Sequence, residues 1–372
     1  MRIFFYAPFK PLDHPVPSGD LVIATGMADF LRSRGHEIVV PSRLRTRWLH
    51  LKPREWPRAA AEAARVARLM SGAPPDLWLT YHSYYKAPDV LGPLFARSVP
   101  YVIFQGSYAT AKARRLSTLP GFLANRAALL RARRVFVNRK EDGRNLVRLL
   151  PASRVGYVPP GIAPADFRFD PEARERLRAQ WGAGETPVVL SAAMFRPGVK
   201  AAGLALTIRA CGALLRAGVD LKLVIAGDGA ERDALSALAR AETGGRAIFL
   251  GRVERLDLYR VYSAADVFAF PGMDESLGMV YLEAQSCGLP VAAFADGGVP
   301  EVVASGLTGI LTPARAFGPF RDAVARLVLD PALRRTMGRA AAKRVRTFHD
   351  REKNYLDLEE QLLEIVKKIA HT

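Results

Sequence analysis

At 372 residues the chain is long enough for two domains, since a single hydrophobic core tends to stop growing near ~250 to 300 residues. Hydrophobic residues make up 49% and charged residues 24%, a balance that excludes a disordered or fibrous protein. The net charge of +18 lies mostly in the first half: residues 1–165 carry 26 basic and 10 acidic side chains, whereas residues 166–372 carry 28 and 26. We therefore expect the first half to meet an anionic partner or surface.

No segment predicts a membrane span or an export signal. The early apolar run IFFYA is too short for a signal-peptide core and is followed by Pro8 and Lys10 instead of a small-residue cleavage site. No run approaches the ~20 apolar residues that cross a bilayer. Cys211 and Cys287 lie in predicted helices without metal-ligand spacing, which favours free thiols in a reducing compartment. We expect a cytoplasmic protein.

Short apolar runs alternate with segments of helical period along the whole chain. In the first half the predicted strands are RIFFYA, HEIVV, LWLTYH, YVIFQG, RVFVN and VGYVPP. In the second half they are PVVLSAAM, LKLVIAGDG, AIFLGRV, DVFAFPG, PVAAFADG and GILTP. Near-continuous apolar strands between helices are typical of parallel sheets covered on both faces. The sequence therefore predicts two doubly wound α/β domains.

The segment YVPPGIAPADF, rich in Pro and Gly, interrupts regular structure and marks the predicted domain boundary near residue 165. We expect a strongly basic first domain over residues 1–165 and a second domain over residues 166–348. Residues 349–372 have apolar side chains at helical spacing and predict a long amphipathic helix. Whether this helix packs back on the first domain is left open by the sequence.

Glu275 and Glu283 flank a turn of small residues that follows the predicted strand DVFAFPG. Ligands of such sheets bind beyond the carboxyl ends of the strands, and the next predicted helix, LGMVYLEAQSC, offers free amides at residues 277–280 to a phosphate. Gly278 has no side chain to block a close approach. Eight helical residues span at most ~12 Å, so the two carboxylates could accept hydroxyls from the sugar and the ribose of a nucleotide sugar. Alternatively, Glu275 is a charge at a helix N-terminus and Glu283 a solvated side chain.

This arrangement resembles the family 4 glycosyltransferases, retaining enzymes of the GT-B fold whose signature is Glu, seven residues, Glu. Other segments resemble the family in the same order, namely YVPPGI, LKLVIAGDGAERDALSALA, IFLGRV and LYRVYSAADVFAF. The first half resembles it more thinly, through SGD at 18–20 and LRSRGHEIVV at 31–40. The resemblance implies two Rossmann-like domains that face each other across a cleft, with the nucleotide sugar on the second and the acceptor on the first.

The resemblance also implies roles for the donor-side residues. In the family the first glutamate contacts the donor sugar, the loop amides hold sugar and phosphate, and the second glutamate holds the ribose. The corresponding residues here are Glu275, Ser276, Leu277, Gly278, Met279, Val280 and Glu283. Further residues that the resemblance places along the donor cleft are Gly227, Asp228, Arg252 and, from the first domain, Gly19. The AGDG turn is a weak signal by itself, and Gly19 is equally explained as the first turn of a helix.

A departing nucleoside diphosphate needs positive charge. The chain contains no Asp-x-Asp triplet, so we expect no metal and no other cofactor, and basic side chains instead. The loop in SAAMFRPGVK carries Arg196 and Lys200, and the family has an Arg and a Lys on the diphosphate in this loop. With Lys200 aligned, the family arginine falls on Met194 or Phe195, so Arg196 is either a displaced equivalent or a surface residue.

The acceptor side is less clearly marked. Many family members have a histidine after the fourth strand of the first domain, where this chain has Gln105. His82 ends a predicted central strand, so we name His82 and Gln105 as acceptor-side candidates; alternatively, His82 is a hydrogen-bonded structural residue. Proposals for the family include a route in which a donor phosphate oxygen takes the acceptor proton, which would require no protein base.

A basic segment over residues 112–148 holds eleven basic and two acidic side chains. We predict that part of it faces an anionic membrane, where each cation contributes ~1 kcal/mol. The predicted membrane-facing cations are Arg131, Arg133, Arg134, Arg139 and Lys140. The apolar residues of the same predicted surface are Leu129, Leu130, Leu146 and Leu149. The alternative is a general enrichment in arginine. Nucleic acid is not expected, because aromatic residues are not interleaved with these arginines and no nucleic-acid motif occurs.

The function predicted from the sequence is a retaining, metal-independent glycosyltransferase of the hexosyltransferase class. It would move a sugar from a nucleotide-diphosphate sugar to an acceptor hydroxyl on a lipid-linked or cell-envelope glycan, at the inner face of the cell membrane. The alternatives are a sugar phosphorylase of the same fold, and a sugar-nucleotide-binding or nucleic-acid-associated protein with little catalysis.

Overall fold

A computed structural model describes residues 1–15 and 19–370 of the chain, so Ser18 of the SGD motif lies outside the described residues. The chain forms two compact units, one of residues 1–158 and 352–372 and the other of residues 159–351. Each contains a six-stranded sheet in which every pair of neighbouring strands is parallel. The prediction of two doubly wound α/β domains is confirmed.

The first sheet has the strand order β2-β1-β3-β4-β5-β6. Its strands are β1 (Arg2–Tyr6), β2 (Glu37–Val39), β3 (Leu77–Ser83), β4 (Tyr101–Gly106), β5 (Arg134–Val137) and β6 (Val155–Tyr157). The helices up to residue 158 are α1 (Gly19–Ser33), α2 (Trp56–Gly72), α3 (Gly92–Phe95), α4 (Leu119–Arg131) and α5 (Lys140–Leu146). Alternate residues of β1 enter different cores, Ile3 and Phe5 one and Phe4 and Tyr6 the other. Both faces of the sheet are therefore covered, which is why its strands are almost wholly apolar.

The second sheet has the strand order β12-β11-β10-β7-β8-β9. Its strands are β7 (Val188–Ala192), β8 (Lys222–Ala226), β9 (Ala247–Gly251), β10 (Val267–Ala269), β11 (Val291–Phe294) and β12 (Gly309–Thr312). Its helices are α6 (Pro171–Gln180), α7 (Val199–Arg216), α8 (Arg232–Thr243), α9 (Leu258–Ala264), α10 (Met279–Ser286), α11 (Val299–Val302), α12 (Phe317–Leu329) and α13 (Pro331–Phe348). The chain moves outward from β7 to β9 and then returns to place β10 on the other side of β7. In such sheets the reversal point, at the carboxyl ends of β7 and β10, is where ligands bind.

The two units divide after Val158, earlier in the chain than the boundary near residue 165 that the Pro-rich segment indicated. Ile162 and Phe167 are fully buried in the core of the second unit, whereas Val158 belongs to a core of the first. Burial, not the position of the prolines, therefore sets the division.

A long helix, α14 (Arg351–Ala370), returns the chain to the first unit. Its apolar face, formed by Tyr355, Leu358 and Leu362, is buried in the same core as β1. Beside this face Glu359 accepts a hydrogen bond of 2.9 Å from Arg34 and lies 2.8 Å from His36. Within residues 1–15 and 19–370, no helix is both long and apolar enough to cross a membrane.

Candidate functional site

Glu275 and Lys200 form an ion pair at the reversal point of the second sheet. Lys200 lies in the first turn of α7, which follows β7, and Glu275 lies in the loop between β10 and α10. Both side chains are largely covered, with exposed fractions of 30% for Lys200 and 14% for Glu275. The Lys200 ammonium also lies 5.3 Å from the ring centre of Phe270, close enough for a cation–π contact. The structure thus brings together two residues that the sequence assigned separately.

Two consecutive glycines after β11 hold the Glu275 loop through its backbone. Gly297 has φ +55°, and a Cβ there would lie 2.2 Å from the carbonyl oxygen of Glu275. At Gly298 a Cβ would lie 2.0 Å from the carbonyl oxygen of Ser276. The N–H of Gly298 donates a hydrogen bond of 2.7 Å to the carbonyl of Glu275. The sequence analysis missed this role, although the Gly-Gly pair in FADGGVP was a visible signal of close backbone approach.

Helix α10 begins at Met279, with Gly278 before it at φ +68°. The predicted start was Leu277, but the left-handed conformation of Gly278 delays the helix. A Cβ at this glycine would also lie 2.5 Å from the ring of Tyr281, so local packing requires the glycine whether or not a phosphate approaches. No side chain caps this helix start in the described structure, and Val280 in its first turn is half-buried. The helix therefore offers the amide-rich N-terminus that the sequence predicted.

Glu283 is buried, with 7% of its side chain exposed, so the alternative of a solvated side chain is wrong. Arg255 donates a hydrogen bond of 3.0 Å from its Nε to Oε1 of Glu283, and its Nη2 forms an ion pair of 2.9 Å with the same oxygen. The hydroxyl of Tyr262 lies 3.3 Å from Oε2. Burial raises the pKa of Glu283, and the Arg255 cation opposes this rise. Arg255, which also lies 5.0 Å from the ring centre of Phe167, was missed by the sequence analysis. Its signal was indirect: a buried carboxylate requires a cation.

The loops after β7 and β8 pack against each other. Phe195 is fully buried, and its N–H donates a hydrogen bond of 2.9 Å to the carbonyl of Asp228. Gly227 has φ +141°, and a Cβ there would lie 1.9 Å from the carbonyl oxygen of Ala193. The AGDG turn is therefore required for packing of one loop on the other. Arg196 is exposed beside this core contact.

Two other predicted donor-side residues lie at the surface of the second unit. Asp228 is exposed and forms an ion pair of 3.3 Å with Arg232. The side chain of Arg252 is 79% exposed and forms an ion pair of 3.2 Å with Glu254. Neither contact by itself indicates a binding role.

In the first unit the candidates His82 and Gln105 are the last residues but one of the neighbouring strands β3 and β4. Both have positive φ angles, +61° and +62°, which are costly for residues other than glycine and are frequent at functional sites. His82 stacks on Tyr84 at 4.7 Å, and its Nδ1 lies 3.2 Å from an oxygen of Asp20. Burial favours a higher pKa for Asp20, but the contact with His82 and the charge of Lys10 together outweigh burial, and the net pKa is lowered. Gly19 begins α1 with open space around its Cα.

The predicted membrane-facing cations do not form one uniform surface. Arg139 forms ion pairs of 2.8 Å and 3.8 Å with Glu141 and Asp142. Arg134 is half-buried, with its guanidinium 5.3 Å from the ring centre of Phe136. The exposed members are Arg131, Arg133 and Lys140. The inclusion of Leu129 and Leu146 in this surface was wrong, because both are fully buried core residues.

The comparisons with known proteins agree on one family. The model of the glycosyl transferases group 1 matches residues 173–344. A GDP-mannose-dependent alpha-(1-6)-phosphatidylinositol monomannoside mannosyltransferase of Mycolicibacterium smegmatis is 34% identical over 55% of this chain and 54% of its own length. A D-inositol 3-phosphate glycosyltransferase of Kribbella flavida is 32% identical over 80% of this chain and 74% of its own length. The chain thus spans about half the length of the mannosyltransferase and about three quarters of the inositol-phosphate enzyme.

Solved structures show the same fold. Sucrose-phosphate synthase from Thermosynechococcus elongatus matches with a TM-score of 0.76 and 20% identity, over 99% of this chain and 100% of its own. Anabaena HepE in complex with UDP matches with a TM-score of 0.74 and 20% identity, over 98% of this chain and 100% of its own. Both likenesses extend over the two units of the chain.

Proposed function

Because this chain belongs to the group 1 glycosyltransferase family, we propose that it transfers a sugar from a nucleotide-diphosphate sugar to an acceptor hydroxyl. The observation that carries this proposal is the Lys200–Glu275 pair, which lies at the reversal point of the second sheet together with the start of α10. A cation and a helix N-terminus suit a diphosphate, and a carboxylate suits sugar hydroxyls. The proposal includes retention of configuration at the anomeric carbon and independence of a metal ion, as in the enzymes that the sequence resembles.

In this reaction Lys200 exchanges Glu275 for the diphosphate when the donor binds. Glu275 then accepts hydrogen bonds from the transferred sugar. The bond from the anomeric carbon to the acceptor oxygen forms on the face where the bond from that carbon to the diphosphate oxygen breaks, and the acceptor proton passes to the departing oxygen. Lys200 and the start of α10 offset the charge that grows on the leaving group, which lowers the barrier.

Glu283 is proposed to hold the ribose with the help of Arg255. Arg255 binds Oε1 through a hydrogen bond from Nε and an ion pair with Nη2, and so fixes the orientation of the carboxylate. Oε2 has a longer contact, 3.3 Å to the hydroxyl of Tyr262, and can accept a ribose hydroxyl in addition.

GDP-mannose is the first donor to test, because relatives that are 34% and 36% identical carry a GDP-mannose-dependent name. The proposed acceptor is a lipid-linked or cell-envelope glycan at the cytoplasmic face of a membrane. Support for a peripheral membrane contact comes from the exposed cations Arg131, Arg133 and Lys140. Wild-type protein that stays in the supernatant with anionic vesicles at low salt would contradict this contact.

The decisive experiment is a thermal-shift screen of GDP-, UDP- and ADP-sugars, followed by measurement of nucleotide release with the best donor. The variants are Glu275→Ala and Glu283→Ala, and Glu175→Ala on the exposed face of α6 is the matched control. We expect the donor to stabilise both site variants less than the wild type and the control, and turnover to persist in excess EDTA. Equal shifts in all four proteins would contradict the donor site, and turnover that requires orthophosphate would indicate a phosphorylase.

A further inference from the structure

The first unit contains a cavity of about 470 Å³ that the site described above does not use. Its volume is in the range of small-molecule sites. Five of its eight lining residues are basic, namely Arg43, Arg45, Arg47, Lys52 and Arg58, and the other three are Leu44, Trp48 and Glu55. The cavity is formed by the segment that follows β2 and by the start of α2, so it lies on the carboxyl side of the first sheet.

Three arginines of this cavity stand in a regular row. Arg43, Arg45 and Arg47 are all exposed. The residues between them are buried: Ser42, Leu44 and Thr46. Such alternation is typical of an extended chain, in which residues two apart lie on the same side at a spacing of ~6 to 7 Å. The row therefore presents three guanidinium groups in one direction.

The buried residues of the segment fix this row to the unit. The carbonyl of Leu44 accepts a hydrogen bond of 2.8 Å from the hydroxyl of Tyr6. The N–H of Thr46 donates to the carbonyl of Pro8 at 2.9 Å, and its hydroxyl donates to the carbonyl of Pro88 at 2.7 Å. These partners belong to β1 and to the loops after β1 and β3. The backbone that carries the arginines is thus ordered before any ligand arrives, which lowers the entropy cost of binding.

The positive charge of the cavity is only partly compensated. Glu55, an acidic residue of the lining, forms an ion pair of 3.2 Å with Lys52. Arg43 forms an ion pair of 2.9 Å with Asp13. Three lining cations, Arg45, Arg47 and Arg58, take part in none of the ion pairs found within residues 1–15 and 19–370. A surplus of guanidinium groups beside a cavity favours a multivalent anion.

One end of the arginine row, Arg47, is connected to the acceptor-side candidate His82 through the ring of Phe9. The guanidinium of Arg47 lies 5.8 Å from the ring centre of Phe9, and that ring lies 5.4 Å from the ring of His82. Trp48, the next residue along the chain, has φ +57° and donates its backbone N–H to the carbonyl of Lys86 at 2.7 Å. Its indole lines the cavity beside the arginines and lies 5.7 Å from the ring of His50 and 6.0 Å from the ring of Tyr85.

We propose that this cavity binds the phosphate group of a phosphorylated sugar or polyol, which is the acceptor, either free or as a lipid headgroup. Guanidinium groups bind phosphate through paired N–H donors, and an indole face packs against the carbon side of a ring. With its phosphate on the arginine row, the ligand directs ring hydroxyls toward His82. The anion site stands on the cavity alone; its role as the acceptor site rests on the proposed function.

The test is isothermal titration of the full chain with inorganic phosphate at low ionic strength, without any sugar nucleotide. The site variant is R43Q/R45Q/R47Q. The matched control, R68Q/R97Q/R126Q, removes the same charge from three exposed arginines of the same unit. We expect phosphate affinity to fall by about tenfold or more in the site variant and by less than about twofold in the control. Phosphate that binds near Lys200 contributes equally to all three titrations, because that residue is unchanged in all three proteins.

Equal losses in both variants, or no loss in the site variant, would overturn the proposal. Equal melting temperatures without phosphate show that all three proteins are folded. Sedimentation with phosphatidylglycerol or phosphatidylcholine vesicles distinguishes the two sources of the phosphate. If the site variant sediments less than the control with the anionic vesicles, the ligand is a lipid headgroup. If the two variants sediment equally, the ligand is a free phosphate ester. A chain that binds phosphate here but releases no nucleotide from any sugar nucleotide would contradict the proposed function and not the anion site.

Discussion

Lys200 and Glu275 are 75 residues apart in sequence and form an ion pair at the place where the strand order of the second sheet reverses. The pair means that the proposed diphosphate-binding cation is already held by the proposed sugar-binding carboxylate. Donor binding therefore exchanges one anionic partner of Lys200 for another, which keeps this partly buried cation paired in both states.

Replacement of Lys200 tests the cation for the leaving group. We expect Lys200→Ala to lower kcat by about 100-fold and to change KM by less than about fivefold, because the charge on the diphosphate is largest in the transition state. Steady-state kinetics with the best donor measure both constants. Arg209→Ala, at an exposed position of the same helix α7, is the control and should match the wild type. An unchanged kcat in Lys200→Ala would remove Lys200 from the mechanism.

Replacement of Glu275 should affect nucleotide and sugar nucleotide in opposite directions. Glu275→Gln releases Lys200 from its ion pair, so a nucleoside diphosphate without sugar should bind more tightly, by a few-fold, which is about 1 kcal/mol. Turnover of the sugar nucleotide should fall by about 100-fold, since the carboxylate no longer accepts from the sugar. Titration calorimetry and initial rates give the two values. Weaker binding of the bare nucleoside diphosphate would show that Glu275 does not compete for Lys200.

The glycines behind the Glu275 loop offer a test of backbone packing. Gly298→Ala places a Cβ 2.0 Å from the carbonyl of Ser276, so we expect a loss of about 2 kcal/mol or more in the free energy of unfolding and weaker donor binding. Gly306→Ala is the control for backbone strain alone, because φ is +80° there but the space is open. It should cost about 1 kcal/mol and leave donor binding intact. Urea unfolding and donor KM separate the two effects, and equal donor KM in both variants would contradict the packing role.

Removal of Arg255 should give a destabilisation that depends on pH. The pKa of Glu283 is already raised by burial, and without Arg255 it should rise further. At a pH below the wild-type pKa the carboxyl is neutral in both proteins and the difference disappears; as pH rises through that value, the destabilisation of Arg255→Gln grows. Because Arg255 is 39% exposed, we expect about 1 kcal/mol near neutral pH. Urea unfolding over a pH series measures it.

Arg252→Gln is the matched control for that series. Arg252 is 79% exposed and pairs with Glu254 at the surface, so its loss should be small and nearly independent of pH over the acidic range where Glu283 titrates. A flat pH profile for Arg255→Gln would show that the contact with Glu283 contributes little.

The fold was predictable because its signals are local. Every predicted strand is present, since strands covered on both faces are almost wholly apolar, as β7 in PVVLSAAM shows. The motif that contains Glu275 and Glu283 was predictable for a similar reason, because strand, turn and helix follow one another in sequence. The position of Lys200 next to this motif was predictable because it follows the neighbouring strand β7.

The contacts that complete the site were not predictable, because they join segments distant in sequence. Arg255 reaches Glu283 across 28 residues, and only the folded chain shows that this carboxylate is buried. The helical spacing predicted which face of α14 is apolar, but it did not predict that this face packs in the core of the first unit. The arginine row before α2 was visible as alternation after β2, but its meaning depends on the buried bonds of Thr46.

The return of α14 to the first unit determines the order in which the protein can be completed during synthesis. Residues 1–158 leave the ribosome without Tyr355, Leu358 and Leu362, which close one of their cores. Until the whole second unit has been translated, the apolar surface that these residues cover remains open. The first unit to be made is therefore the last to be finished, and its folding waits on contacts of very long sequence separation, which are slow to form and leave the nascent chain prone to aggregation.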